Sequence, residues 1–553
     1  MEFSLMAELF QQLEKTSGRL EKTSIISDFI SDTPVDLMPT VLLFLRGRVF
    51  PLWSEKELGM GDKLMIKVLS NITGASEIHV EDKIREKGDI GFAAEELLVN
   101  KTQTTLFTEE LTVEKVHSNL TKLAELSGKK SRERKIGYIS ELLSMTKPLE
   151  SRYVVRLVLE ELRLGVGEGT VRDAIASVFN VDASLLERAR SLRCDLGEVA
   201  KIARQEGDEG LRRVSMKPGR PIEVMLAQKA ESIEDVLGKI TPAAFEIKYD
   251  GARLQIHKMG DNIELFTRRL EKVTKQFPEI VSAARDNIKA STAIVEGELV
   301  AIQSKVDRNP RPFQDLSKRI RRKYRINDLV EQIPVEVNLF DIVLYEEREL
   351  LGERFDDRRK LLEKIINKTD SFRLSEYLVT SNLKEADEFY QKAIKMGHEG
   401  VMVKNPGAPY QPGSRVGYMY KIKQVMETLD LAVVGATWGE GRRAHWMSSF
   451  LLALRDEDTG EFLSVGRMAT GLTDKQFKEV TSLLKPLVVV ESGKEIGIKP
   501  KVVLEVAYDE IQKSQTYESG YALRFPRLVR IRYDKGIKDV NTLSRLKDLI
   551  TSH

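Results

Sequence analysis

The feature that most limits what this chain can fold into is a change of hydrophobic period near residue 216. Up to about residue 215, apolar side chains recur at helical spacing. Over 111–126, Val113, Val116, Leu120, Leu123 and Leu126 share one face, with Thr112 placed to cap the helix. Similar stretches cover 6–13, 136–145 and 153–164. Met216-Lys217-Pro218-Gly219-Arg220-Pro221 then supplies the proline and glycine punctuation of a domain junction. Beyond it the pattern alternates with a period of two, broken by amphipathic helices over 356–366 and 383–396. From about 426, strand-like runs recur over 429–437, 449–455, 502–511 and 529–533. These patterns predict a multidomain chain: an all-α domain over 1–215, an α+β domain over 216–425, and a β-rich domain over 426–553. The short strands of the last suit an OB-fold barrel.

Within the alternating region lies Lys248-Tyr249-Asp250-Gly251-Ala252-Arg253, preceded by a strand pattern at 245–248 and followed by another at 254–258. Strand parity puts Glu246 and Lys248 on one face and Phe245 and Ile247 on the other. A lysine at a strand end, beside an acid and a tight Asp-Gly turn, suits a nucleophile. Amines form covalent intermediates when burial or nearby cations lower their pKa. Attack on the α-phosphate of a nucleotide would leave a lysine–AMP phosphoramidate. The plainer alternative is an Asp-Gly hairpin turn with a solvated lysine, and a Lys-x-Asp-Gly match alone carries little weight.

Further segments follow in order: Thr267-Arg268-Arg269, Glu296-Gly297-Glu298, Phe340-Asp341 and Glu399-Gly400-Val401-Met402-Val403-Lys404. Tyr420-Lys421-Ile422-Lys423 comes next, then Arg524-Phe525-Pro526-Arg527 and Asp534-Lys535. In this order the segments resemble the covalent nucleotidyltransferases, specifically the ATP-dependent DNA ligases of archaeal and eukaryotic replication type. The region before Lys248 resembles the ligase DNA-binding domain, so the likeness runs the whole length.

The resemblance implies roles for particular residues. Lys248 is the nucleophile, Glu246 accepts a hydrogen bond from the adenine amino group, and Phe340 stacks on the base. Arg253 and Arg268 are phosphate and ribose clamps, since a guanidinium presents a fork to oxyanions. Arg415 is another nucleotide contact. Lys421 and Lys423 share a strand face by parity and suit an α-phosphate that gains charge in its transition state. Glu399 is a carboxylate for Mg²⁺ or another divalent cation; Glu298 is either a second one or a ribose contact. Arg524 and Arg527 belong to a motif that swings over the pocket to orient pyrophosphate and then leaves. Tyr533 stands where the family pattern leads one to expect an acid.

Nicked duplex DNA is the substrate that follows from the family. Gly165, Gly167 and Gly169, with Thr170 as a helix cap, form a glycine-rich turn whose free amides suit a phosphate. The basic run Lys318-Arg319-Ile320-Arg321-Arg322-Lys323-Tyr324-Arg325 is either a solvated face or part of a DNA-facing side. Gln103-Thr104-Thr105-Leu106-Phe107 resembles a sliding-clamp interaction box. In it Leu106 and Phe107 would fill an apolar pocket and Gln103 would bond at its edge.

The net charge is only +2, so any basic surface is local. The single cysteine, Cys194, excludes an internal disulfide framework and a four-cysteine zinc site. That separates the chain from NAD-dependent bacterial ligases, which carry such a zinc module. No apolar run approaches the roughly 20 residues of a membrane span, and the first residues lack a signal-peptide pattern. A cytoplasmic monomer without membrane attachment is the expectation. Two rivals stay open: an RNA ligase or capping-type nucleotidyltransferase, and a catalytically inactive DNA-binding scaffold.

Overall fold

The computed structural model describes residues 1–553 apart from 101–109, 129, 323, 425–426, 440–442, 444 and 552–553. It divides into one compact unit, Met1–Lys423, and a second, Gln424–His553.

The first part of unit one is helical, as the period-3.6 pattern requires. In helix Val113–Glu125 the Thr112 Oγ1 accepts a hydrogen bond from the Lys115 amide at 3.2 Å, and Val113, Val116, Leu120 and Leu123 are buried. The helix expected over 153–164 is instead Pro148–Val158. Glu160 and Arg163, both at positive φ, turn the chain away from the helix. The glycine-rich turn also differs from expectation. Its helix is Glu168–Val178, with Gly167 as N-cap, so Thr170 lies within the first turn, buried, and does not cap it. Glycine at the cap leaves the first amides without a side-chain partner, so the cap read from sequence fell three residues too late.

The remainder of unit one carries two sheets. Its strands are β1 (Gln228–Lys229), β2 (Ala243–Lys248), β3 (Ala252–Met259), β4 (Asn262–Thr267), β5 (Thr292–Ala301) and β6 (Val335–Tyr345). They continue with β7 (Arg348–Glu349), β8 (Phe372–Leu374), β9 (Tyr377–Thr380), β10 (Gly400–Lys404) and β11 (Met419–Lys423). The first sheet has the order β1-β11-β10-β2-β9. The second has β4-β3-β5-β6-β7, with β8 on β6. Each sheet buries an apolar face against its own helices. Phe245, Ile247, Val401 and Ile422 pack with Ala386 and Ala393 of Leu383–Lys395. Leu254, Ile256, Val295 and Leu299 pack with Ile280 and Leu362. Burial of each such large side chain contributes roughly 1.5–3 kcal/mol. The opposite, polar faces are left to line a cleft.

Lys248-Tyr249-Asp250-Gly251 links β2 to β3, which lie in different sheets. The Asp-Gly pair is therefore a crossover between sheets, and the hairpin alternative falls. Glycine is needed at 251 because a Cβ there would lie 2.3 Å from the Leu299 carbonyl oxygen.

Helical and strand parts share one apolar core, in which Leu192, Val199, Met216 and Ile222 join Ile294, Leu344 and Met419. Arg220 stacks over Trp53 at 4.5 Å, and the Met216 amide donates to the Glu349 carboxylate.

Unit two is β-rich. β12 (Leu429–Trp438), β13 (Met447–Arg455), β14 (Phe462–Met468), β15 (Val488–Ser492), β16 (Glu495–Ile498), β17 (Val503–Ala507) and β20 (Arg527–Ile531) form one antiparallel sheet. β18 (Glu510–Lys513) and β19 (Tyr521–Arg524) pair separately. Strand pairing among the described residues closes no barrel, which corrects that detail of the OB-fold expectation. Between β19 and β20 Phe525 has φ +50° and Pro526 lacks an amide donor.

Candidate active site

The register of the first sheet puts Lys248 opposite Gly400 and Gly400 opposite Lys423. The next row on the same face is Glu246, Met402 and Lys421. Both parity readings from sequence thus fall on one surface. Gly400 has φ +139°, and a Cβ there would lie 2.2 Å from the Ile422 carbonyl oxygen, so glycine lets β10 lie close against β11. This seats Glu399 beside Lys248. The Glu399 Oε2 is 2.6 Å from the Nζ of Lys248 and 2.6 Å from that of Lys423. Burial opposes the charge on Glu399, but the two ammonium groups outweigh it and hold the carboxyl down to about 2.

Lys421 is lowered by burial, then by the charges of Lys423, Lys248, Arg268 and Arg415. Arg268 and Arg415, both exposed, therefore face the same region as the three lysines. Five cations converge where one carboxylate, Glu399, pairs two of them. Such an excess of positive charge on one face suits a polyphosphate.

The second sheet supplies the other wall. Arg253, Glu298 and Asn338 occupy one row, and Gln255, Glu296 and Asp341 the next. Between those rows the register shifts, leaving Phe340 without a partner on β5. This β-bulge re-aims Phe340 so that it lines the cleft with Glu246, Lys248, Arg253, Glu298 and Lys404. Asp341 stays buried under the Arg358 guanidinium, with its Oδ1 2.8 Å from Nε. Glu298 is pushed up to about 7 by burial. The charges of Glu399 and Asp250 push the same way, while Lys248 and Arg253 oppose.

Several residues that sequence reasoning missed hold those it found. Glu246 is 2% exposed, and its carboxylate is engaged by Lys404 at 2.5 Å and Arg359 at 3.2 Å. Lys404 also sits over the Phe340 ring at 4.5 Å. Arg253 does not extend as an open fork. It pairs with Glu296 at 2.7 Å and donates to the Met225 carbonyl at 2.9 Å. The Tyr410 hydroxyl donates to the same Glu296 at 2.9 Å. The signal for Lys404 was present, since parity on β10 puts it on the face of Met402. Arg359 and Tyr410, more than 100 residues from their partners, left none.

In unit two Arg524 pairs with Glu510 at 3.0 Å and Arg527 with Asp509 at 2.7 Å. In the basic run Arg319 is 1% exposed and bound to Glu279 at 2.6 Å, so it is structural and not part of a DNA-facing side. Gln103, Leu106 and Phe107 lie outside the described residues. No helix among the described residues is long and apolar enough to cross a membrane. Nor does any group of three or more His, Cys, Asp or Glu side chains among them suit a metal. Glu298 and Glu399 lie close enough for one charge to raise the other's pKa. That fits a hard cation held by one or two carboxylates together with substrate phosphates.

Such a cleft, lined by a stackable ring and flanked by a cation cluster, suits a protein that binds a nucleoside triphosphate by base and phosphates together. Three family descriptions match the chain: DNA ligase N terminus over 2–176, ATP dependent DNA ligase domain over 224–423, and ATP dependent DNA ligase C terminal region over 443–535. The DNA ligase of Thermococcus fumicolans is 46% identical over 550 residues, covering 99% of this chain and 98% of its own. That of Methanothermobacter thermautotrophicus is 46% identical, covering 99% and 97%. The solved structure described as Pmar-Lig_PreS3 is 20% identical with TM-score 0.58, covering 95% of this chain and 99% of its own, a likeness of fold. The chain belongs to the ATP-dependent DNA ligase family. Neither the RNA ligase or capping-type reading nor the inactive scaffold draws support from these relatives.

Proposed function

We propose that this protein seals nicks in duplex DNA with ATP, as part of DNA replication, repair and recombination. The observation that carries the reading is the Lys248–Glu399–Lys423 cluster, with both lysines 2.6 Å from one carboxylate oxygen, in a chain of this family. In the first step Lys248 Nζ attacks the α-phosphorus, the bond to the β-phosphate oxygen breaks, and pyrophosphate leaves. In the second, the 5′-phosphate of the nick displaces the lysine and takes the AMP. In the third, the 3′-hydroxyl attacks that phosphate and AMP departs. Glu399 orients Lys248 and Lys423. Lys421, Arg268 and Arg415 meet the negative charge that grows at phosphorus. Glu246 reads the base edge, Phe340 stacks on its face, and Arg253 braces the wall from Glu296. Glu399, with Glu298, would hold Mg²⁺, which would supply charge neutralisation at the phosphates.

Unit two is read as an OB-type domain that brings Arg524 and Arg527 to the pyrophosphate in step one. The domains are read as 1–215, 216–425 and 426–553, and the protein as a monomer in the cytoplasm. Gly165, Gly167 and Gly169, at the amide-rich start of helix Glu168–Val178, are read as a DNA phosphate contact, with Thr170 within the helix's first turn.

The direct test is ligation of a singly nicked duplex with a 5′-phosphate, supplied with Mg²⁺ and either ATP, GTP or NAD⁺. Sealing with ATP alone is expected; sealing with NAD⁺ alone would contradict the family chemistry. A pH series adds a second check. Burial pushes Glu298 up to about 7 before any cation binds, so below that pH a cation must displace its proton to be held there. The kcat/KM for lysine adenylation should rise through about pH 7, and Glu298→Gln should remove that limb. A limb unchanged in the variant assigns it to another group.

Docking on a sliding clamp through Gln103, Leu106 and Phe107 gives a separate expected result. With a ring-shaped sliding clamp from the same host, Leu106→Ala/Phe107→Ala should lose capture and clamp stimulation while basal ligation stays intact. Wild-type capture by the double variant removes 103–107 as the docking segment.

A further inference from the structure

Arg190, in the helix Ala183–Arg193, is 7% exposed and grips Glu223 with both ends of its fork. The Nη1–Oε1 distance is 2.6 Å and the Nη2–Oε2 distance 2.7 Å. Glu223 belongs to the segment that follows the junction at 216–221. It is fixed from the helical side a second way, because its amide donates to the Ser191 carbonyl at 2.9 Å and Ser191 Oγ donates to its Oε2 at 3.2 Å. Directly on that carboxylate lies Gly413. A Cβ there would fall 2.2 Å from Glu223 Oε2 and 3.0 Å from Ser191 Oγ, and the residue has φ +70°. The same loop is tied by backbone bonds, from the Gly413 amide to the Val224 carbonyl at 3.3 Å and from the Leu226 amide to the Ser414 carbonyl at 2.9 Å. The next residue is Arg415, one of the cations converging on Lys421. The Arg190 guanidinium also holds Glu168, first residue of the helix behind the glycine-rich turn, at 2.8 Å.

We infer that Arg190 is a positioning residue for lysine adenylation. Through Glu223 it fixes the loop carrying Arg415, so the helical part of the chain helps to bind the nucleotide before any DNA arrives. A bidentate pair of this kind constrains orientation as well as distance, which a single lysine charge does not. The inference rests on the reading that Lys248 takes AMP from ATP and that Arg415 meets the nucleotide.

The test measures lysine adenylation on the full-length protein with labelled ATP and Mg²⁺ and no DNA. It compares wild type, Arg190→Ala, Arg190→Lys and the charge-balanced double variant Arg190→Met/Glu223→Gln. Arg190→Ala should raise the KM for ATP about tenfold with kcat changed by less than about threefold, the split expected for lost binding without lost chemistry. Arg190→Lys should recover part of the loss. Because Arg190→Ala takes the shared partner from three half-buried carboxylates, Glu223, Glu168 and Glu187, thermal melting accompanies each assay. If that variant unfolds, the double variant, which removes charge from both sides, carries the same expected rise in KM. A folded variant with wild-type KM, or one that loses kcat alone, overturns the inference. Wild type failing to take label at all would instead bring down the underlying nucleotidyl-transfer reading.

Discussion

The Lys248→Ala variant is expected to keep its fold and to take no covalent label from ATP. The side chain ends the outer row of its sheet and lines a cleft, so its loss opens no core cavity. Glu399 loses one of two partners but keeps Lys423 at 2.6 Å. The stability cost should therefore stay below the roughly 3–5 kcal/mol that follows from stripping a buried charge of its partner. Sealing of a nick that already carries AMP on its 5′-phosphate should persist at a reduced rate, because step three does not use the lysine as nucleophile. Full labelling of the alanine variant would remove Lys248 from the role given to it.

Arg524→Ala/Arg527→Ala should separate the first step from the last. If both arginines act on pyrophosphate, adenylation should fall on the order of 10²-fold or more, the scale for removing groups that stabilise transition-state charge. Closure of pre-adenylated nicks, where no pyrophosphate is present, should fall far less. In the free protein the two arginines hold Glu510 and Asp509, partly exposed pairs whose contribution to stability is small. A melting temperature near wild type is therefore expected. Equal losses in the two assays would place these arginines in DNA binding or in the folding of unit two.

What sequence made legible was whatever depends on near neighbours. Parity on β2 and β11 put Glu246 with Lys248 and Lys421 with Lys423, and the sheet register unites the two pairs on one face. The Thr112 cap and the apolar stripe behind it were likewise local. What escaped was long-range or irregular. Arg359 meets Glu246 across 113 residues, so no spacing rule could pair them. The bulge that turns Phe340 into the cleft is a property of two strands together. Arg319 looked like one charge in a solvated run, yet Glu279 and two carbonyls draw it under the surface. Asp250-Gly251 has the composition of a hairpin turn, but the β2 and β3 edges pair with other strands.

The most direct measurement is the site of the covalent nucleotide. Full-length protein incubated with ATP and Mg²⁺, denatured and digested under conditions that preserve phosphoramidates, is analysed by tandem mass spectrometry. The expected result is AMP on the peptide containing Lys248, carried by that lysine and lost when nicked DNA is added before denaturation. AMP on another residue, or an adduct formed from NAD⁺ and not from ATP, would contradict the account.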